Sequence, residues 1–418
     1  MDSPRSTGHS NTTCIGPGTI ADRIWLFVSK APPVKIVLAP DSFKESLSSV
    51  AAAQAMAQGA RQACPKAQLE CVPMADGGEG TVQALIRATG GTYCRELIHD
   101  PLGRPVEATF GLLGCSSCAV IEMAAASGLE LLEPQQRNPL LTTTRGTGEL
   151  ILSALNAGVE RIILGIGGSA TVDGGTGMAR ALGVRFLDAA GNELPEGGGS
   201  LAQLEEINIS GLDQRIKNVQ IEVACDVNNP LTGQHGAAYV FGPQKGATPQ
   251  MVEQLEQGLA LLGEKIAQQL GKDVMDTPGA GAAGGLGAGL MAFLDAQLRS
   301  GVDLVIEAVG LADRLADADL CITGEGKLDS QSVHGKTIVG VGRLAKSMNV
   351  PVIVLAGTVG PGAEQVLSQG VVQYCSIKPE SMSLPEAMKR TPELLAHAAQ
   401  GVVRNFLEKS KKEKGGRG

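Results

Sequence analysis

At 418 residues, with 56 glycines, 43% hydrophobic and only 3% aromatic content, the chain suits two domains with cores of Val, Ile, Leu and Ala, and it favours α/β over all-β folds. A net charge of -8 excludes nucleic acid and anionic membrane surfaces as partners, because either would need a basic stripe. Nine scattered cysteines read as reduced thiols, and no apolar run approaches the ~20 residues that span a bilayer, so a cytoplasmic protein is expected.

In chain order, residues 1–33 are rich in Ser, Thr, Gly and Pro and read as a disordered extension. A β-branched strand over 34–39 runs into Pro40-Asp41-Ser42-Phe43-Lys44, with Ser48 placed to cap a helix over 50–64. A strand over 69–73 ends in Ala75-Asp76-Gly77-Gly78-Glu79-Gly80-Thr81, and a helix over 81–89 follows. Short strands with turns over 93–124 predict an antiparallel portion; Cys115-Ser116-Ser117-Cys118 has redox spacing but sits in a hairpin turn. Arg137 and Arg145 lie in the loop before a helix over 149–156. Alternation continues with strands near 162–166, 184–187 and 219–224, a long helix over 248–270 capped by Thr248 and Pro249, and a helix running to 298 after Pro278-Gly279-Ala280-Gly281-Ala282-Ala283-Gly284-Gly285. Strands over 320–323, 350–355 and 371–376 then alternate with helices to about 407.

The two ends share a βαβ style that the middle lacks. The expected fold class is α/β in two domains: a Rossmann-like parallel-sheet domain from 34–75 plus 290–408, interrupted by an inserted α/β domain over 76–289, with a basic tail over 409–418. An insertion of this kind creates a cleft where the chain crosses twice, and clefts hold ligands.

The most informative stretch runs Ile162-Ile163-Leu164-Gly165-Ile166-Gly167-Gly168-Ser169-Ala170-Thr171-Val172-Asp173-Gly174-Gly175. A buried strand opening into glycines brings backbone N–H groups close to a phosphate, and Asp173 is the one charge in it. Residues 165–170 also fit a relaxed dinucleotide fingerprint, with Asp188 as the ribose acid, which makes an NAD-dependent oxidoreductase of a small hydroxy acid the rival reading. Gly279 to Gly284 fits the strict fingerprint without a convincing strand before it, and Gly335-Lys336-Thr337 lacks the first glycine of a P-loop. Asp41, Asp76, Asp173, Asp226 and Asp329 each follow a strand or lie in a glycine loop. Acids gathered at the carboxyl edge of a sheet call for a cation, here Mg²⁺ with a nucleotide. Lys44, Arg145, Lys245 and Lys327 supply the opposite charge, whereas Glu79, Glu325 and His334 read as turn residues.

Taken together and in order, Ala39 to Ser46, Ala75 to Thr81, Gly165 to Gly175, Ala224-Cys225-Asp226, Phe241 to Gly246, Pro278 to Gly285 and Thr323-Gly324-Glu325-Gly326-Lys327-Leu328-Asp329 resemble the bacterial glycerate kinase family, from about Lys35 to about Leu407. The resemblance implies ATP-dependent phosphorylation of D-glycerate to 2-phosphoglycerate, with Mg-ATP as co-substrate. On that basis Asp41, Ser42, Lys44 and Arg145 are expected to hold the substrate. Gly167, Gly168, Ser169, Gly281, Gly284, Gly285 and Lys245 are expected at the ATP phosphates, Asp226 and Asp329 at the metal. Asp173, or failing that Asp76, would take the hydroxyl proton, with Lys44 also catalytic. Val172 departs from the Asn expected in the family loop. The family usually begins at Val34 with Met, so the extension is expected to come from an upstream start. A non-catalytic nucleotide sensor is the third reading.

Overall fold

The structure, a computed structural model, describes residues 14–15, 33–114, 117–333 and 337–415. Apart from 14–15, the expected disordered extension lies outside the described residues through residue 32, as do Cys115, His334, Gly335 and Lys336. The expected tail over 409–418 is helical as far as it is described, within Thr391–Gly415.

The strands are β1 (Cys14–Ile15), β2 (Lys35–Leu38), β3 (Gln68–Cys71), β4 (Thr92–His99), β5 (Pro105–Leu112), β6 (Cys118–Glu122), β7 (Arg161–Gly165), β8 (Arg185–Leu187), β9 (Glu206–Asn208), β10 (Gln220–Ala224), β11 (Gln297–Arg299), β12 (Leu320–Leu328), β13 (Val352–Val359) and β14 (Val371–Ser376). Packing divides the chain into a flanking unit, residues 1–75 with 306–418, and an inserted unit, residues 76–305. Residues 290–305, expected in the flanking domain, pack with the inserted unit. Asp295 takes a left-handed conformation (φ 53°) that ends the helix at Leu294 rather than 298, and β11 then pairs in parallel with β10.

The flanking unit is one sheet in the order β1-β14-β13-β12-β2-β3, parallel except for β1. Its parallel strands run in the doubly wound order 2-1-3-4-5. Continuous apolar runs form these strands because both faces are covered. Ile36, Leu38, Leu320, Ile322, Ile353 and Leu355 pack against the helices Ser49–Ala63 and Thr391–Gly415, while Val37, Cys321 and Val354 are buried on the other face. Ser48 caps the first of these helices, its Oγ accepting from the Ala51 N–H, as its place before the apolar run predicts. Cys375 is disulfide-bonded, contrary to the expectation of reduced thiols throughout; Cys64, Cys94, Cys225 and Cys321 are free thiols.

The inserted unit has a mixed sheet in the order β11-β10-β7-β6-β5-β4. Strands β6, β7, β10 and β11 are parallel, and β4 and β5 form the antiparallel portion that the turn-rich 93–124 segment predicts. A separate antiparallel pair, β8 with β9, lies outside this sheet. The long helix Pro249–Leu270 buries Leu255, Leu259, Leu262 and Ile266 at helical spacing in the core, starting at Thr248 and Pro249 as the sequence signals indicate.

Candidate functional site

Four parallel strands of the inserted unit end flush. Glu122, Gly165, Ala224 and Arg299 are register partners across β6, β7, β10 and β11, so the loops that follow open on one edge. The Asp76-Gly77-Gly78 loop seats on this edge. Gly77 has φ +89°, and a Cβ there would lie 2.3 Å from the Cβ of Ala224, so no other residue fits. A cavity of about 440 Å³ occupies the edge, walled by Asp76, Gly167, Gly168, Ser169, Asp226 and Lys245 among others.

One wall is made of donors. The backbone N–H groups of Gly167, Gly168 and Ser169 have no acceptor among the described residues, while the neighbouring Gly168 carbonyl and Ala170 N–H are tied to Leu129 and Ser127. Unpaired N–H groups in a loop held by its neighbours make an anion nest. Lys245 stands beside it with 2% exposure, donating to the Thr171 carbonyl at 2.7 Å and Ser169 Oγ at 3.3 Å. An ammonium has three donors, so one has no protein acceptor among the described residues. Burial pushes its pKa down to about 7, with Asp173 acting against the shift.

The same lining carries acids. Asp226 follows β10 and accepts from the Gly301 N–H at 3.1 Å; Asp76 accepts from the Gly78 N–H at 3.1 Å. A Cβ on Gly301 would lie 1.8 Å from the Asp76 carbonyl, so the two acid loops meet over that glycine. Desolvation, then repulsion from Asp76 and Asp303, pushes the Asp226 carboxyl up to about 6 against hydrogen bonds from Gly301 and Ser300. Neighbouring carboxylates that resist joint ionisation favour a shared proton or cation. Among the described residues no three or more His, Cys, Asp or Glu are placed to hold a metal. A two-carboxylate wall fits Mg²⁺ brought with phosphates, and it does not fit an all-protein cage.

Other expected site residues are placed elsewhere. Asp173 has no exposure and is saturated: one oxygen accepts from the Thr144 N–H (2.8 Å), Thr144 Oγ1 (2.8 Å) and the Gly177 N–H (3.2 Å), the other from the Gly175 N–H (3.1 Å). Burial still raises its pKa. It does not line the cavity, so the expectation that it takes the substrate proton is corrected: it fastens the loop to the start of the helix Arg145–Asn156. Gly281, Gly284 and Gly285 do not line the cavity either; Cβ atoms there would lie 2.1 Å from the Pro230 carbonyl, 1.9 Å from the Thr171 carbonyl and 2.9 Å from Gly174 Cα, so these glycines serve close packing, and Ala282 and Ala283 line the wall instead. Arg145 is occupied by Glu149 (3.1 Å) and Glu196 (2.8 Å). Val172, which departs from the family's expected Asn, is fully buried in the core.

The dinucleotide fingerprint loses its geometry. The strand after the glycine loop should lie parallel beside β7, but β8 pairs with β9 in a separate antiparallel sheet, and Asp188 is pinned in a turn by the Ala190 and Asn192 N–H groups. Asp41, Ser42, Lys44 and Asp329 belong to the flanking unit. There Asp41 follows β2, accepts from Thr337 Oγ1 at 2.5 Å and sits at the switch between β2 and β12; Asp329 follows β12 and pairs with Lys327 at 2.8 Å. Ser332 Oγ joins that loop by donating to Glu325, which is buried rather than a solvated turn residue.

Sequence reasoning missed Glu122. Its carboxylate accepts from the Val82 N–H at 2.7 Å, capping the start of the helix Thr81–Thr89 that follows the Asp76 loop. The one available signal was an acid at the end of a buried strand, the same signal that singled out the other acids.

Comparison with known proteins agrees with the motif order. A model of the glycerate kinase family matches residues 36–407. Glycerate kinase of Bacillus subtilis (strain 168) is 52% identical over 370 residues, 88% of this chain and 97% of its own, and glycerate 2-kinase of Escherichia coli (strain K12) is 50% identical over 370 residues with the same coverage. A crystal structure named for glycerate kinase 2, from Salmonella typhimurium LT2, superposes with a TM-score of 0.84 at 50% identity, over 91% of this chain and 100% of its own. A match of this length and identity, on a fold with the phosphate-type loop and acidic wall just described, leaves one assignment: the chain belongs to the glycerate kinase family.

Proposed function

We propose that the chain transfers the terminal phosphoryl group of ATP to D-glycerate, forming 2-phosphoglycerate. The observation that carries this reading is a single cavity lined by unpaired N–H groups, by buried Lys245 and by both Asp76 and Asp226. Phosphoryl transfer asks for positioning and charge neutralisation, plus one carboxylate for the nucleophile's proton. The Gly167-Gly168-Ser169 backbone and Lys245 bind and orient phosphate oxygens. Asp76 accepts the hydroxyl proton, and Asp226 would hold Mg²⁺, which when bound neutralises phosphate charge. The substrate role expected of Lys44, Asp41 and Ser42 and the metal-side role expected of Asp329, all in the flanking unit, rest on the family motifs alone.

The test is a coupled assay that follows ADP release with D-glycerate present and absent, with ³¹P NMR of the product. Glycerate-dependent ADP release and a phosphate on carbon 2 are expected. ADP release that ignores glycerate, or ATP binding without turnover, would sink the reading. The paired variants Asp76→Asn and Asp226→Asn separate the two acids: a base lowers kcat at unchanged Mg²⁺ requirement, and a metal-side acid raises that requirement.

A further inference from the structure

Among the arginines of the inserted unit, Arg95, Arg104, Arg145, Arg161, Arg180, Arg185, Arg215 and Arg299 all donate to protein acceptors. Arg87 is exposed to solvent. Arg137 is different. It is half-buried, its Nε is shut off from solvent without a hydrogen-bond partner, and its guanidinium makes no ion pair or hydrogen bond among the described residues. A guanidinium cannot shed its charge, so partial burial without an acceptor is a standing cost that an incoming oxyanion would relieve.

The surroundings hold this residue in place. A short 3-10 turn, Pro134–Gln136, is closed by a reciprocal capping box with Glu133, and the Arg137 N–H donates to the Pro134 carbonyl. On its other side Arg137 packs against Gly246. A Cβ at Gly246 would lie 2.4 Å from the Arg137 carbonyl oxygen and 3.0 Å from its Cβ, and Gly246 has φ +91°, so the approach requires glycine. Gly246 directly follows Gln244 and Lys245, both of which line the cavity. The unpaired guanidinium thus belongs to a residue braced against the turn that carries the buried lysine, whereas Arg145, the arginine that sequence reasoning favoured, is held by two glutamates.

We propose that Arg137 is an anion-binding residue of this active site, its fork taking an oxyanion of one of the two substrates, the carboxylate of the hydroxy acid or a phosphate of the nucleotide. This rests on the kinase reading above. The test is initial-rate kinetics of R137K and R137M with each substrate varied, alongside thermal melts. A rise in KM of about tenfold or more for one substrate is expected in R137M; R137K, which keeps the charge without the fork, should fall between. A rise for D-glycerate identifies the carboxylate, a rise for ATP a phosphate. R137M should melt at or above the wild-type temperature, since it removes a half-buried charge whose Nε has no acceptor. Two results overturn the proposal: both KM values within twofold of wild type in both variants, or a large drop in the melting temperature of R137M, which would reveal a structural acceptor. Absence of glycerate-dependent turnover in the wild type would instead remove the kinase reading itself.

Discussion

The tripeptide Asp-Gly-Gly occurs twice in the inserted unit, at 76–78 and 173–175, and the two copies do opposite work. Asp173 is fully buried and accepts four hydrogen bonds. Asp76 is half-buried at the cavity wall, with the Gly78 N–H as its hydrogen-bond donor and Asp226 as an electrostatic neighbour. A saturated carboxylate is a strut, because every lone pair offered to the backbone is withdrawn from chemistry. An acid with one backbone donor and a place on the cavity wall keeps lone pairs open to a proton or a cation.

The strut should break most visibly in Asp173→Asn. An amide nitrogen must face one of the four donors, which leaves a buried group unsatisfied at a cost of about 3 kcal/mol. Chemical denaturation should show that loss, with kcat per folded molecule close to wild type. A variant as stable as wild type but about a hundredfold slower would restore Asp173 as the base and erase the contrast. Asp76→Asn should do the reverse. Removing a general base costs about 10²-fold in kcat, or about 2.7 kcal/mol of barrier, with little change in the melting curve. Equal losses of stability in the two variants would show that the copies are not functionally distinct.

From the sequence the two copies are indistinguishable, and this marks where residue patterns stop being informative. Apolar runs, caps and turns expose the α/β elements and the antiparallel 93–124 segment, since those signals are local. The family motifs, read in order, identify the enzyme class. What decides strut or site is the partner set. Thr144 reaches Asp173 from a loop 29 residues away, and Glu122 caps the helix after Asp76 from a strand 40 residues on. Likewise the glycines at 281, 284 and 285 look like a phosphate cradle until Thr171, Gly174 and Pro230 are seen packed against them. Long-range contacts are not written in local composition.

Lys245 tests whether the strut and the site communicate, because it lines the cavity while feeling the charge of Asp173. Lys245→Met should raise the KM for ATP about tenfold, the loss of one charge-assisted contact. It should also stabilise the unliganded protein near pH 6 by something on the order of 2 kcal/mol, because charging a buried lysine is unfavourable. The sign follows from the proton count. The folded-state pKa is about 7 against an ordinary value of 10.5, so between these values the unfolded chain binds more protons, and stability from this group rises with pH. Stability curves at pH 6 and pH 9 should converge in the methionine variant. A wild-type protein without that rise would show that Lys245 stays charged in the folded state.

The finest probe is the second glycine of each copy. Gly78 lacks a positive φ, and the one atom within 4 Å of a methyl added there would be Asp76 Oδ1, at 3.1 Å. Gly78→Ala should therefore cost no more than about 0.5 kcal/mol of stability, the range of an unstrained surface substitution. Its effect falls on the carboxylate alone, nudging Asp76 by a few tenths of an ångström, so kcat should drop by roughly two- to fivefold, because misplacement near a reacting group is felt in rate before it is felt in stability. In the other copy, Gly175 has φ +76° and lies 3.2 Å from Gly289 Cα by the same measure, so Gly175→Ala should lose stability and leave kcat per folded molecule alone. If both alanine variants lost stability with unchanged kcat, the 76–78 loop too would be a strut, and the proton acceptor would have to be sought in Asp226.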